Sequence, residues 1–185
     1  MRYVWITFIV LAAVLFGVLG WPKLRPAAPV ATRPPAIETL PVRRTAWVSP
    51  RITARPDSVV GFAMRQLGTN YCYAGNTPAT GFDCSGFVQY VFKEFNVAVP
   101  HSTSLLISVG QLIPREQARR GDIVVFTGTA TTATTPGHAG IVVSNPGQPL
   151  RFIHSSSARR ESGVKISQVE GTDYERRFMA IRRVL

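Results

Sequence analysis

Cysteine, histidine and acidic residues are scarce in this 185-residue chain: two Cys, three His, and ten Asp/Glu against 21 Lys/Arg. Two cysteines allow at most one structural disulfide, and no short ligand spacing joins them to the histidines, which argues against a zinc site. The basic stretches have no interleaved aromatics and no recognition motif, so nucleic acid is not supported as a partner. No internal repeat or second folded domain is visible. What is present in quantity is apolar residues, 45% of the chain with 10% aromatics, which excludes a disordered protein and provides for one core.

That composition is unevenly placed. From Tyr3 to Trp21 there is no charge and no proline, enough helix to span about 28 Å, close to a bilayer core. Residues 1–21 read as a transmembrane anchor or a signal segment; Arg2 and Gly20 suit a signal, the length suits an anchor. Lys23, Arg25 and Arg33 follow the span and oppose export under the positive-inside rule. Residues 22–56 carry eight of the 14 prolines, an extended linker that excludes helix and central strand. Residues 1–55 hold eight basic side chains against Glu38 alone, a net of +7, whereas the remainder nets +4. A basic tether is attracted to anionic lipid or wall polymer, or simply stays extended and soluble.

Residues 57–185 form the folded domain. Asp57 or Ser58 can cap a first helix whose Val60, Ala63, Met64 and Leu67 share a face before Gly68 ends it. The strongest periodicity follows an irregular loop: Cys84, Phe87, Val88, Val91, Phe92 and Phe95 recur at helical spacing. A short helix over 103–108 has Ser102 as its cap. Strands are predicted over 123–126, 138–143, 151–154, 164–169 and 178–184. Helices first and strands afterwards mean an α+β fold with a sheet of about five strands.

Cys84 at the start of a helix, after the capping residue Asp83, is placed where unpaired N–H groups and the helix dipole favour a thiolate. The small residues Ser85 and Gly86 leave room for a substrate. A buried core cysteine is the plainer reading of the same position. The Ser144–Pro149 turn lies midway between His138 and His154, and a hairpin centred on Pro146 sets the two imidazoles opposite each other. Nucleophile, base and orienting group are the parts of a cysteine hydrolase.

These pieces resemble one family. The segments Asn70-Tyr71, Asp83-Cys84-Ser85-Gly86-Phe87-Val88, Gly121-Asp122-Ile123-Val124, Gly137-His138-Ala139-Gly140 and Phe152-Ile153-His154-Ser155 occur in the order and spacing of the NlpC/p60 cell-wall peptidases. The resemblance implies a papain-like fold in which the Cys84 helix packs on an antiparallel sheet bearing His138 and His154. It implies attack by Cys84, proton transfer by His138, orientation by His154 and oxyanion stabilisation by Tyr71. Asp83, Ser85 and Ser102 are the implied substrate-binding residues. The implied reaction is cleavage of peptidoglycan stem peptides, at the γ-D-glutamyl to diamino acid bond, by a monomer facing the periplasm or cell exterior without cofactor or metal. A papain-like amidase or acyltransferase and a non-catalytic wall binder are the alternatives.

The chain departs from the pattern in places. An extra residue before Cys84 makes Tyr73 a rival to Tyr71, and Cys72 places a second thiol near the nucleophile. His101 stands where relatives often have Arg, and Leu106 or Ile107 replaces a Gln, implying a less polar groove. The Thr127–Pro136 run reads as a mobile loop, either a lid or a solvated insertion.

Overall fold

The computed structural model describes residues 55–185. The anchor or signal over 1–21 and almost all of the linker lie outside the described residues; among those described, no helix is long and apolar enough to cross a membrane. Helix α1 runs over Pro56–Met64, with Pro56 inside its first turn, where a missing N–H costs nothing. The cap position belongs to Arg55, so neither Asp57 nor Ser58 serves as the expected cap. Asp57 instead pairs with Arg120 Nε at 2.7 Å. The buried stripe is Val59, Val60 and Ala63; the chain tightens into i→i+3 turns after Met64, which turns Leu67 out to 44% exposure.

A two-residue hairpin unseen in the sequence, β1 (Asn76–Thr77) with β2 (Gly81–Phe82), precedes α2 (Cys84–Glu94). The predicted face of α2 is buried from Phe87 through Phe95, and the helix stops where Asn96 turns left-handed at φ 58°. Helix α3 is one turn, Thr103–Leu106; Ser102 holds the cap position but its hydroxyl bonds Ser104 Oγ rather than the backbone.

The sheet has six strands, one more than expected: β3 (Gln111–Ile113), β4 (Ile123–Thr127), β5 (Pro136–Val142), β6 (Arg151–Ser156), β7 (Gly163–Gln168) and β8 (Phe178–Arg183). They are antiparallel in the order β3-β8-β4-β5-β6-β7. The added strand, β3, has three residues, too few for alternation to show in sequence. A further helix, α4 (Asp173–Arg177), was also not expected.

The central strands read as unbroken apolar runs because both sheet faces are covered. On one face Ile123, Val125, Ala139, Ile141 and Ile153 pack against Phe87, Val88, Val91 and Phe92 of α2. On the other, Val124, Phe126, Val142, Phe152 and Ile181 pack under Tyr174 of α4. Each fully buried Phe or Ile contributes about 1.5–3 kcal/mol relative to exposure. The sheet is thus a stiff partition between the two layers. The β4–β5 register shifts between Phe126 and Thr127, immediately beside His138.

Candidate active site

The Cys84 end of the site is built locally. Asp83 adopts the extended cap conformation and its Oδ1 accepts from Gly86 N at 2.6 Å and from the Ser85 hydroxyl at 3.1 Å. Its second oxygen, Oδ2, is held by His101 Nε2 at 2.9 Å. His101 therefore braces the start of the Cys84 helix, a contact not foreseen from the sequence. Gly86 serves a different purpose from the one expected. A Cβ there would collide with the Gly75 carbonyl and lie 2.9 Å from His101 Nε2, so the missing side chain accommodates protein rather than substrate. Ser85 is likewise buried, at 7% exposure.

The Cys84 thiol is pushed up from its ordinary value, by burial first and by the Asp83 charge second. Backbone N–H groups of Ala139, Ser85 and Cys84 oppose this without prevailing. The helix N-terminus thus does not generate a resting thiolate, contrary to the expectation from its dipole. Among the described residues Cys72 and Cys84 are both free thiols, with Cys72 Sγ directed to the Tyr73 carbonyl at 3.6 Å.

The histidine end is built at long range. His138 and His154 do meet, with His138 Nε2 2.8 Å from His154 Nδ1, but through a register different from the expected one. Ile141 pairs with Ile153 and Val142 with Phe152, so the hairpin centres one residue later than Pro146 and His154 faces Gly140. A Cβ on Gly140 would lie 3.0 Å from His154 Cβ and 2.6 Å from Phe152 Cδ2. The glycine leaves the space through which His138 reaches His154 on the diagonal.

His154 is fully buried and its Nε2 lies 2.9 Å from Ser167 Oγ on β7. The chain of bonds orders the protons. If Ser167 accepts from His154 Nε2–H, then His154 Nδ1 is free to accept from His138 Nε2–H, leaving His138 Nδ1 as the basic nitrogen. Burial depresses both imidazoles, and for His138 the Arg177 and Lys165 cations carry this further, to about 3. The raised thiol and lowered imidazole together favour a neutral resting pair over an ion pair.

The two ends adjoin at the first half of β5. The Ala139 N–H that faces the Cys84 sulfur belongs to the residue after His138, and Tyr174, stacked on the His138 ring at 5.8 Å and 28°, lies within the field of Cys84. No direct Cys84–His138 hydrogen bond is made among the described residues; such contacts commonly tighten only when substrate binds. Tyr71 lies in the fields of Cys84 and Asp83, whereas Tyr73 is 87% exposed. Ser102 is half-buried at the start of α3. Two cavities of about 410 Å³ each lie away from these residues, one of them against Gln89, Lys93, Asn96 and Val99.

The domain that carries these residues has known relatives. The family model for the NlpC/P60 family matches residues 68–183, a span that includes both ends of the site. The chain belongs to the NlpC/P60 family. It is 35% identical over 138 residues to the gamma-DL-glutamyl hydrolase of Bacillus subtilis strain 168, covering 72% of this chain and 31% of that protein. It is 36% identical over 119 residues to the murein DD-endopeptidase MepS/murein LD-carboxypeptidase of Escherichia coli K12, covering 64% of this chain and 57% of that protein. The chain thus spans between about a third and just over half of these relatives' lengths. The solved NlpC/p60 domain of the peptidoglycan hydrolase SagA superposes with a TM-score of 0.56 at 26% identity, over 70% of this chain and 99% of that domain.

Ser167, Tyr174 and Arg177 are residues of the site that sequence reasoning missed. A signal for α4 was present: Thr172-Asp173-Tyr174-Glu175 is a Thr-x-x-Glu helix start, and Thr172 Oγ does accept from Tyr174 N. Ser167 had no such signal, because only the β6–β7 register brings it to His154, through the Phe152–Ser167 pair.

Proposed function

We propose that this protein is a cysteine peptidase of peptidoglycan, cutting stem peptides through Cys84, His138 and His154. The observation that carries the reading is the hydrogen-bonded run His138–His154–Ser167, whose His138 stands next to Ala139, the residue whose backbone N–H faces the Cys84 thiol. In the proposed reaction His138 Nδ1 takes the Cys84 proton as the sulfur attacks the scissile carbonyl carbon. The carbon–nitrogen bond breaks, and the imidazolium gives its proton to the leaving amine. Water then attacks the thioester, His138 again receiving the proton, and the new carboxyl product leaves with the thiol restored.

The Tyr71 hydroxyl and backbone N–H groups at the start of α2 stabilise the oxyanion in this reading. Asp83 and Ser85 act by shaping that helix start, and Ser102 borders the groove. The bond we favour is the γ-D-glutamyl link to the diamino acid, a choice supported by the glutamyl hydrolase relative and opposed by the DD-endopeptidase one. The N-terminal segment holds the domain against the envelope in this reading, with the catalytic domain on the wall side.

Incubating the reduced full-length chain with purified peptidoglycan, beside Cys84→Ser, tests this directly by mass spectrometry of released fragments. Wild type should release stem-peptide fragments whose new termini identify the bond, and the variant should lose at least about 10³-fold in rate. A folded, reduced wild type that releases nothing would sink the proposal.

A further inference from the structure

We propose that Arg177 and Tyr174 form a positioning unit for His138, in which the Tyr174 ring backs the imidazole and Arg177 fixes both that ring and the turn from which β5 departs. This rests on the role given to His138 above. Neither residue bonds His138 directly, so both act through packing, backbone and field.

Arg177 is only 5% exposed. Its Nε donates to the carbonyls of Thr127 and Gly128 at 3.2 and 3.1 Å, and Nη2 donates to Thr127 O at 2.8 Å. Thr127 closes β4, and Gly128 opens the loop that returns as Pro136, Gly137 and His138. The loop itself is largely exposed, so its foot is fixed by the guanidinium rather than by burial of its own residues. The guanidinium carbon also sits 5.1 Å from the Tyr174 ring centroid. Tyr174 in turn stacks on His138, meets His154 edge-on at 5.5 Å, and rests on Phe126 and Phe152.

The cation is incompletely neutralised. Its acidic partner among the described residues is Asp173, at 3.4 Å, which is more than half exposed and also binds Arg176 at 2.7 Å. Burying a guanidinium against carbonyls is costly for stability, and a neutral side chain would fill the space more cheaply. What the guanidinium adds is a fork that reaches two successive carbonyls and a fixed positive field behind the imidazole. The groups facing His138 are His154 from β6, Lys165 from β7, Phe126 from β4, Tyr174 and Arg177 from α4, and the Cys84 sulfur against Ala139. Lys165 is tied to Glu161 at 3.1 Å, which offsets part of its charge. Arg177 is therefore the less compensated of the two cations, and it disfavours an imidazolium at rest.

The test follows the His138 ring nitrogens by NMR through a pH titration of the full-length chain, and the rate of Cys84 alkylation in a Cys72→Ser background. Neither readout needs peptidoglycan, so a failed hydrolysis assay does not decide this question. Tyr174→Phe should stay within about twofold of the parent alkylation rate, whereas a folded Tyr174→Leu should fall about tenfold. Arg177→Gln should move the His138 midpoint upward, and Arg177→Lys should restore part of the depression. Should Arg177→Gln fail to fold, the Phe-against-Leu contrast at Tyr174 decides. Folded Tyr174→Leu with parent alkylation, Phe behaving like Leu, or a His138 midpoint that stays put or falls in a folded Arg177→Gln would each overturn the proposal.

Discussion

The two halves of the site were made in different ways. Cys84 is placed by its immediate neighbours: a cap one residue before it, a Gly two residues after it, and an apolar stripe over the next ten residues. His138 is placed by residues far along the chain, including Gly140, His154, Ser167, Tyr174 and Arg177, which meet only once β5, β6, β7 and α4 have assembled. In the proposed roles, a nucleophile specified by local structure and a base specified by tertiary structure differ in robustness. The helix start should tolerate small errors elsewhere, while the base should be sensitive to a single methyl group in the wrong place.

The sharpest way to break that contrast is Gly140→Ala. The added carbon meets the Ile153 carbonyl at 2.8 Å and His154 Cβ at 3.0 Å, so the histidine pair must shift. We expect a loss of about 1–3 kcal/mol of stability by overpacking, and about 10²-fold in kcat from misplacement of the base. Denaturant melts and product release measure the two. A near-silent Gly140→Ala would show that the pair is less dependent on register than the geometry implies.

At the other end, Asp83→Ala removes the cap and the His101 contact, at a cost of about 1 kcal/mol. Because the Asp83 charge helps push the Cys84 thiol up, its removal should also let Cys84 be alkylated at lower pH. An unchanged or upward-shifted alkylation profile in a folded variant would contradict that account.

A third test sharpens the comparison through pH. Burial, then Arg177 and Lys165, hold His138 near about 3 instead of 6.5 in the folded protein. The unfolded chain therefore binds the proton first as pH falls, and the stability present above about pH 6.5 is lost progressively towards pH 3. Melting temperature should decline through this window, and less steeply in His138→Asn. With His138 as the proposed base, kcat/KM should hold at the pH where an ordinary histidine is protonated.

Much of this was legible in the residues. The α+β order, five of the strands within one to two residues, the Cys84 helix with Asp83 as its cap, and the meeting of His138 with His154 all follow from periodicity, punctuation and spacing. The end of α1 was not, because Met64 and Leu67 fit the helical stripe yet the chain leaves the helix before Leu67. The hairpin centre was misplaced by one residue, since turn composition gives a turn's existence more readily than its register. The state of the thiol was misjudged because the dipole is readable from sequence, whereas the burial that outweighs it is not.

By itself, then, the sequence determined where Cys84 sits and which elements surround it, because helix capping and apolar periodicity act over a few residues and leave their pattern in the chain. Only the tertiary structure decided how His138 is held: His154 opposite a glycine, Ser167 hydrogen-bonded to His154, and Tyr174 and Arg177 behind the ring. Those contacts join strands and a C-terminal helix remote in sequence, and their strength comes from burial, which depends on the packing of the whole domain.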